Sequence, residues 1–323
     1  MAEAVLSIIG QVTDAIYSKS YKDVPLAEGL QVAVKGNEQN PLVVLGEGPA
    51  WDDQKKVLYW VDTKSKVIHV YNPFDKSDKS IPIPGGKQVS AVIPRKKNRD
   101  EVVVTLEDGV YILNLTSQTL TFLDHPEVTK PGNRFNDAKC DPKGRLFAGT
   151  MEDAESGKVT GGLYVMNPES HRCHIVVPES GMSNGQAWSP DHSTYYWIDT
   201  PTGTVFSFDY DLESGAIANK KELIKIKEGN PDGMTIDSEG NLWVCHFGGG
   251  CVTRWNPHTK EQLFKLDLPV SQPSSCCFGG DDMRDLYITS ASKGLELDSE
   301  PLAGSLFVYR TNVTGAPSHP FSG

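Results

Sequence analysis

One pattern recurs along this chain often enough to restrict its fold severely. Asp232-Gly233-Met234-Thr235-Ile236 runs into a turn at Ser238-Glu239-Gly240 and then a second apolar run, Leu242-Trp243-Val244. The same shape starts at Glu47 before Val57-Leu58-Tyr59-Trp60-Val61, at Asn136 before Leu146-Phe147-Ala148, at Asn184 before Tyr195-Tyr196-Trp197-Ile198, and at Ser274 before Leu286-Tyr287-Ile288. A degraded copy starts at Val89. With Glu47, Val89, Asn136, Asn184, Asp232 and Ser274 taken as equivalent, the spacings are 42, 47, 48, 48 and 42 residues. A sixfold repeat of that period cannot be read as anything but an array of small units.

Each unit divides into about four short strands separated by Gly, Pro, Asn and Asp. The first reads Gly48–Trp51, Val57–Asp62, Val67–Tyr71 and Lys79–Ile83. The fourth reads Gln186–Trp188, Thr194–Asp199, Thr204–Tyr210 and Glu222–Ile226; the fifth reads Met234–Ile236, Leu242–His246, Cys251–Trp255 and Gln262–Leu266. These strands are too close together for helical crossovers. A lone four-stranded sheet cannot bury both its faces, whereas sheets stacked radially can.

The expected fold is therefore all-β, a six-bladed β-propeller over residues 28–323, preceded by a short N-terminal amphipathic helix and loop over residues 1–27. Val5, Ile8, Ile9, Val12 and Ile16 supply the helical spacing. The sixth unit offers only three strands: Ser275–Phe278, Asp285–Ser290 and Ser305–Arg310. The alternating stretch Leu30–Lys35 is expected to supply its fourth strand and close the ring.

Charge and composition narrow the function classes. The 31 Lys and Arg against 42 Asp and Glu give a net charge of −11. No basic run exceeds Arg95-Lys96-Lys97, so no nucleic-acid partner is expected. No apolar stretch reaches the ~20 residues of a membrane span. Six cysteines without CxxC spacing read as buried thiols, which points to a reducing, cytoplasmic setting. The expected state is a monomer or weak dimer.

The first strand of a propeller blade lines the central channel, so the six equivalent positions face one another around the axis. Glu47, Asn136, Asn184 and Asp232 would bring two carboxylates and two carboxamides together, a costly arrangement unless something pairs with them. One divalent cation would do so through oxygen atoms alone. Calcium is the first expectation, with zinc, magnesium and manganese as alternatives. The competing reading is that Asn and Asp only make turn bonds where each strand begins.

The segments Gly46-Glu47-Gly48-Pro49, Asn133-Arg134-Phe135-Asn136-Asp137, Phe147-Ala148-Gly149-Thr150-Met151, Ser183-Asn184-Gly185 and Pro231-Asp232-Gly233-Met234 resemble the senescence marker protein/gluconolactonase family, in order and over about residues 44–310. The resemblance implies a six-bladed propeller with a divalent cation in its channel and, in many members, lactone hydrolysis. By matching motif it makes Glu47, Asn184 and Asp232 metal ligands, lets Asn136 touch both metal and substrate, and has Arg134 hold substrate oxygens. Family members also use an acidic residue shortly after the Gly-Thr-Met segment. Direct counting places Ala154 there, and Glu152, Asp153 and Glu155 compete for the role.

The expected mechanism is polarisation of a lactone carbonyl by the cation, with Asp232 as general base and Arg134 orienting substrate or stabilising the oxyanion. Two alternatives use the same positions: hydrolysis of an organophosphate or other ester, and a non-catalytic calcium-binding propeller. Other motifs weigh less. Gly181-Met182-Ser183-Asn184-Gly185 matches G-x-S-x-G but lacks the following helix that a nucleophile elbow needs. Asp209–Gly215 suggests a calcium loop, yet position 220 is Lys where the closing Glu belongs. His171-Arg172-Cys173-His174 has no second ligand cluster for zinc.

Overall fold

Alternating, β-branched and aromatic strands have no helices to pack against, so each repeat covers its faces with its neighbours. The computed structural model, which describes residues 24–35 and 43–323, arranges them as six four-stranded antiparallel sheets. The inner strands are Gly46–Asp52, Val89–Pro94, Asn133–Cys140, Ser183–Trp188, Asn230–Ile236 and Pro273–Gly279, for blades one to six. The proposed helix and most of its loop lie at residues 1–23, outside the described residues.

Burial falls from the axis outward. Inner strands such as Val89–Pro94 and Pro273–Gly279 are buried along their whole length, while the outer strand Ile217–Lys225 is mostly exposed. Apolar clusters fill each interface between adjacent blades. Tyr59, Val61 and Ile68 of blade one meet Val92, Val102 and Val104 of blade two, and Trp51 and Trp60 meet Cys277 and Tyr287 across the closing interface. Those interfaces supply the hydrophobic burial that a single blade lacks.

The ring closes through Leu30–Val34, which pairs antiparallel with Leu306–Arg310 as the outermost strand of blade six. A chain beginning at residue 36 leaves that edge unpaired. It should lose on the order of 10 °C in Tm, or lose cooperative unfolding, relative to a chain beginning at residue 24. Equal melting temperatures for the two chains would show that the ring closes some other way.

The chain's last residues cross the opposite end of the ring from the candidate site. Ala316 N donates to Ile236 O, Gly315 N to Met283 O, Phe321 N to Pro94 O and Ser322 N to Gly144 O. All four acceptors lie at or just beyond the far ends of inner strands. Phe321 is buried among the blade two and three side chains. Above this strap the channel holds a cavity of about 380 Å³ lined by Asp137, Lys139, Gln186, Thr235 and Ser275.

All six cysteines are free thiols, and five are buried. No helix among the described residues is long and apolar enough to cross a membrane.

Candidate functional site

Every inner strand carries a one-residue irregularity near its channel-facing start. The register slips between Glu47 and Ala50, Val89 and Ala91, Phe135 and Ala138, Asn184 and Gln186, Pro231 and Met234, and Pro273 and Cys276. A bulge re-aims side chains without ending the strand. Glu47, Asn136, Asn184 and Asp232 therefore sit within strands, and the reading that they only make turn bonds fails. Asn184 and Asp232 are almost fully buried; Glu47 and Asn136 keep partial exposure.

The residue after three of these four is glycine, and the packing explains why. A Cβ on Gly185 would stand 2.6 Å from Met234 Cβ and 2.7 Å from Asp232 O. One on Gly48 would stand 3.2 Å from Ser90 O, and one on Gly233 would collide with Ser275. Around the axis, adjacent inner strands are too close to admit a side chain at these places. The lead-in to two of the strands is held by an aspartate ending the next strand: Asp62 accepts from Val44 N and Leu45 N, and Asp199 from Gly181 N and Met182 N.

Electrostatics mark the site as short of positive charge. Burial, followed by the Asp232 and Asp137 charges, pushes the Glu47 carboxyl well above the usual carboxylate range. Burial and then Asp137 and Glu155 do the same to Asp232, against a lowering contribution from Asn184 and Arg134. Asn184 Nδ2 donates to Thr200 Oγ1 at 2.9 Å, while its Oδ1 is buried without a hydrogen-bond partner. Two strained carboxylates and an amide oxygen lacking a donor fit a hard divalent cation. Asn136 is already committed: Nδ2 donates to Ser183 O at 3.0 Å, and Oδ1 accepts from Arg134 Nη1 at 3.1 Å. Its second lone pair is what could reach a metal. Among the described residues no group of three or more His, Cys, Asp or Glu is poised around a metal position, consistent with a donor set half made of carboxamides.

Arg134 is buried beside this set, with Nε on Asp153 Oδ1 at 2.9 Å and Nη1 on Phe135 O. The loop after the second strand of blade three separates the acidic candidates. Asp153 joins Arg134, and Glu155 Oε1 lies 3.8 Å from Arg134 Nη2. Glu152 is turned away: it holds Ser156 and pairs with Lys158, lining a shallow depression with Lys130 and Asn133. Opposed strands set that outcome, because Glu152 stands across from Asn133 and Arg134 across from Met151.

Ser183 is not a nucleophile. It is fully buried and its Oγ accepts the Trp197 indole N–H at 2.8 Å. No α-helix occurs among the described residues; the strand Ser183–Trp188 continues into a turn. Asp209–Gly215 likewise forms a hairpin turn, with Asp211 bonded to Ser214. Sequence reasoning missed Asp137 and Thr200. Asp137 was visible beside Asn136, but nothing in the repeat distinguished it; Thr200 lies outside the repeated pattern.

Comparison with known proteins agrees in extent with this architecture. A family model described as "SMP-30/Gluconolactonase/LRE-like region" matches residues 45–292. The chain is 36% identical over 291 residues to YvrE of Bacillus subtilis strain 168, a protein named for sugar lactone lactonase activity, across 88% of this chain and 98% of that one. It is 38% identical to rabbit (Oryctolagus cuniculus) regucalcin over 288 residues, 86% of this chain and 95% of that one. The solved structure of luciferin-regenerating enzyme superposes with a TM-score of 0.83 at 31% identity, covering 91% of this chain and all of that one.

Proposed function

The chain belongs to the SMP-30/gluconolactonase/LRE-like family, and from that premise we propose that it is a divalent-metal-dependent hydrolase of small lactones. The observation carrying this reading is the convergence of Glu47, Asn184 and Asp232 on the channel, with Asn184 Oδ1 lacking a donor, beside a buried Arg134 held in place on Asn136 and Asp153. The relative named for sugar lactone lactonase activity supports it.

Glu47, Asn184 and Asp232 would hold the cation, with Asn136 at its edge. A divalent cation bound there supplies a Lewis acid for the lactone carbonyl and lowers the pKa of a neighbouring water. Asp232 would accept the proton of the attacking water, its carboxylate set beside the cation site by the inner strand of blade five. Arg134 has two nitrogens committed to the protein, which leaves Nη2 to meet a substrate oxygen. Asp153 and Glu155 offer acceptors for hydroxyl groups at the same level. The site suits a compact, oxygen-rich ring. The six free thiols suit the reducing interior of a cell, and we place the protein in the cytoplasm.

A positioned arginine and a base beside the cation site are more than calcium storage requires. A phosphoryl or other ester remains an alternative substrate for the same groups. The test is a panel of γ- and δ-lactones followed by proton release. Hydrolysis should appear, vanish on chelation and return with added calcium, zinc, magnesium or manganese. Calcium binding without turnover on any lactone would move the protein to the binding class, and activity that survives full chelation would remove the metal from the reaction.

A further inference from the structure

The loop after the second strand of blade three is tied to other blades across the channel mouth. Glu155 meets Lys293 of blade six through both carboxylate oxygens, at 2.7 and 2.8 Å. In a ring of six, blades three and six stand opposite one another, so this pair spans the mouth. Asp153 lies 3.6 Å from Lys64 of blade one and takes 3.4 Å bonds from Gln88 at the head of blade two. Below them is Arg134, hydrogen-bonded to Asp153 and 3.8 Å from Glu155.

The base of this loop is anchored separately. Glu152 accepts from Ser156 N at 2.9 Å and pairs with Lys158 at 3.2 Å. Glu155 and Gly157 take left-handed backbone conformations, φ 52° and 89°, which turn the loop back over the channel. Within its own blade the tip is held at Asp153, by Arg134 and by the Asp153 N–H on Gly132 O at 2.9 Å, while the bonds that carry it across the mouth come from side chains of blades one, two and six. Among the described residues, neither Lys64 nor Lys293 has a hydrogen bond or ion pair to Glu47, Asn136, Asn184 or Asp232.

We propose that Lys293, assisted by Lys64, is a specificity-determining residue. It holds residues 153–158 as a bar across the mouth, so that compact lactones pass and those with a bulky substituent are turned away. This rests on the lactonase reading for its substrate and on the ion-pair geometry for its mechanism. The Lys293–Glu155 side chains are 40% and 33% exposed, so water and salt weaken the pair and the bar can lift. Such a bar sorts substrates by size without closing the site permanently.

Lys293→Gln removes the charge and leaves a polar side chain one atom shorter; Lys293→Arg can still pair. In the Gln variant, kcat/KM for a lactone with a bulky alkyl or aryl substituent should rise three- to tenfold relative to the unsubstituted lactone of the same ring size. The Arg variant should stay within twofold of the parent. Amide hydrogen exchange over residues 153–158 should quicken in the Gln variant only. Unchanged exchange, or faster exchange with an unchanged substrate ratio, overturns the proposal. If the parent hydrolyses no lactone, the function proposed above fails on its own, and the exchange comparison alone then decides whether Lys293 holds the bar.

Discussion

Asp232→Asn is expected to abolish lactone hydrolysis by several orders of magnitude while making the metal-free protein more stable. The loss follows from removing the base and weakening the cation's anchor in one change. The gain follows from linkage. The folded carboxyl is held well above the usual range by burial, then by Asp137 and Glu155. An acid whose folded pKa is raised contributes its stability below the unfolded value and loses it as pH climbs through the folded one. In chelator, the parent should therefore lose stability from the ordinary carboxylate range upward, and Asp232→Asn should flatten that fall and raise Tm at neutral pH by roughly 5 °C. Ser183→Ala is the contrasting variant: its hydroxyl serves the Trp197 indole, so turnover should stay within about tenfold, or ~1.4 kcal/mol of barrier. A dead Ser183→Ala beside an active Asp232→Asn, both measured with saturating metal, would overturn this account of the site.

Gly185→Ala should damage fold and site together. The new methyl has nowhere to go: Met234 N lies 2.8 Å from where it would stand, and Asp232 O 2.7 Å. The atoms in the way are mostly backbone of the neighbouring inner strand, which cannot rotate aside, so blade five must move. Overpacking of this kind costs on the order of 3 kcal/mol or more, and here the displaced segment carries Asp232. Thermal denaturation should show a fall of several degrees, and calorimetric titration with calcium at least a tenfold weaker affinity. Gly132→Ala, whose methyl would meet nothing within 4 Å, is the matched comparison and should change neither. Equal behaviour of the two variants would mean that the inner strands are not as closely spaced as described.

The features legible in the sequence were those repeated six times. Blade starts stand out because Glu47, Asn136, Asn184, Asp232 and Ser274 each precede similar apolar runs, and the closing strand at Leu30 follows from the strand missing in the sixth unit. Strand beginnings were read too late: the inner strand of blade five starts at Asn230 rather than Met234. A bulge admits an Asp and a Gly inside a strand, and their usual turn chemistry hid them. Lys64, Gln88, Thr200 and Lys293 were out of reach for a different reason. They sit on connections whose meeting depends on how the ring closes, and no periodicity records that. Glu152, Asp153 and Glu155 are chemically alike in sequence; only strand pairing at Asn133 and the backbone turn at Glu155 decide which of them face Arg134.

The way the ring is fastened also orders events while the protein is being made. The strand that finishes blade six is near the start of the chain, and its partner, Leu306–Arg310, is near the end. The strap that crosses the far end depends on residues still later, out to Phe321 and Ser322. Blades one to five can assemble as they leave the ribosome, but until residues 306–322 have emerged they form an open arc with unpaired edges at blade six. Nascent chains halted before residue 306 should therefore be the species most dependent on chaperones, and the emergence of residues 306–322 the step at which misassembly is decided.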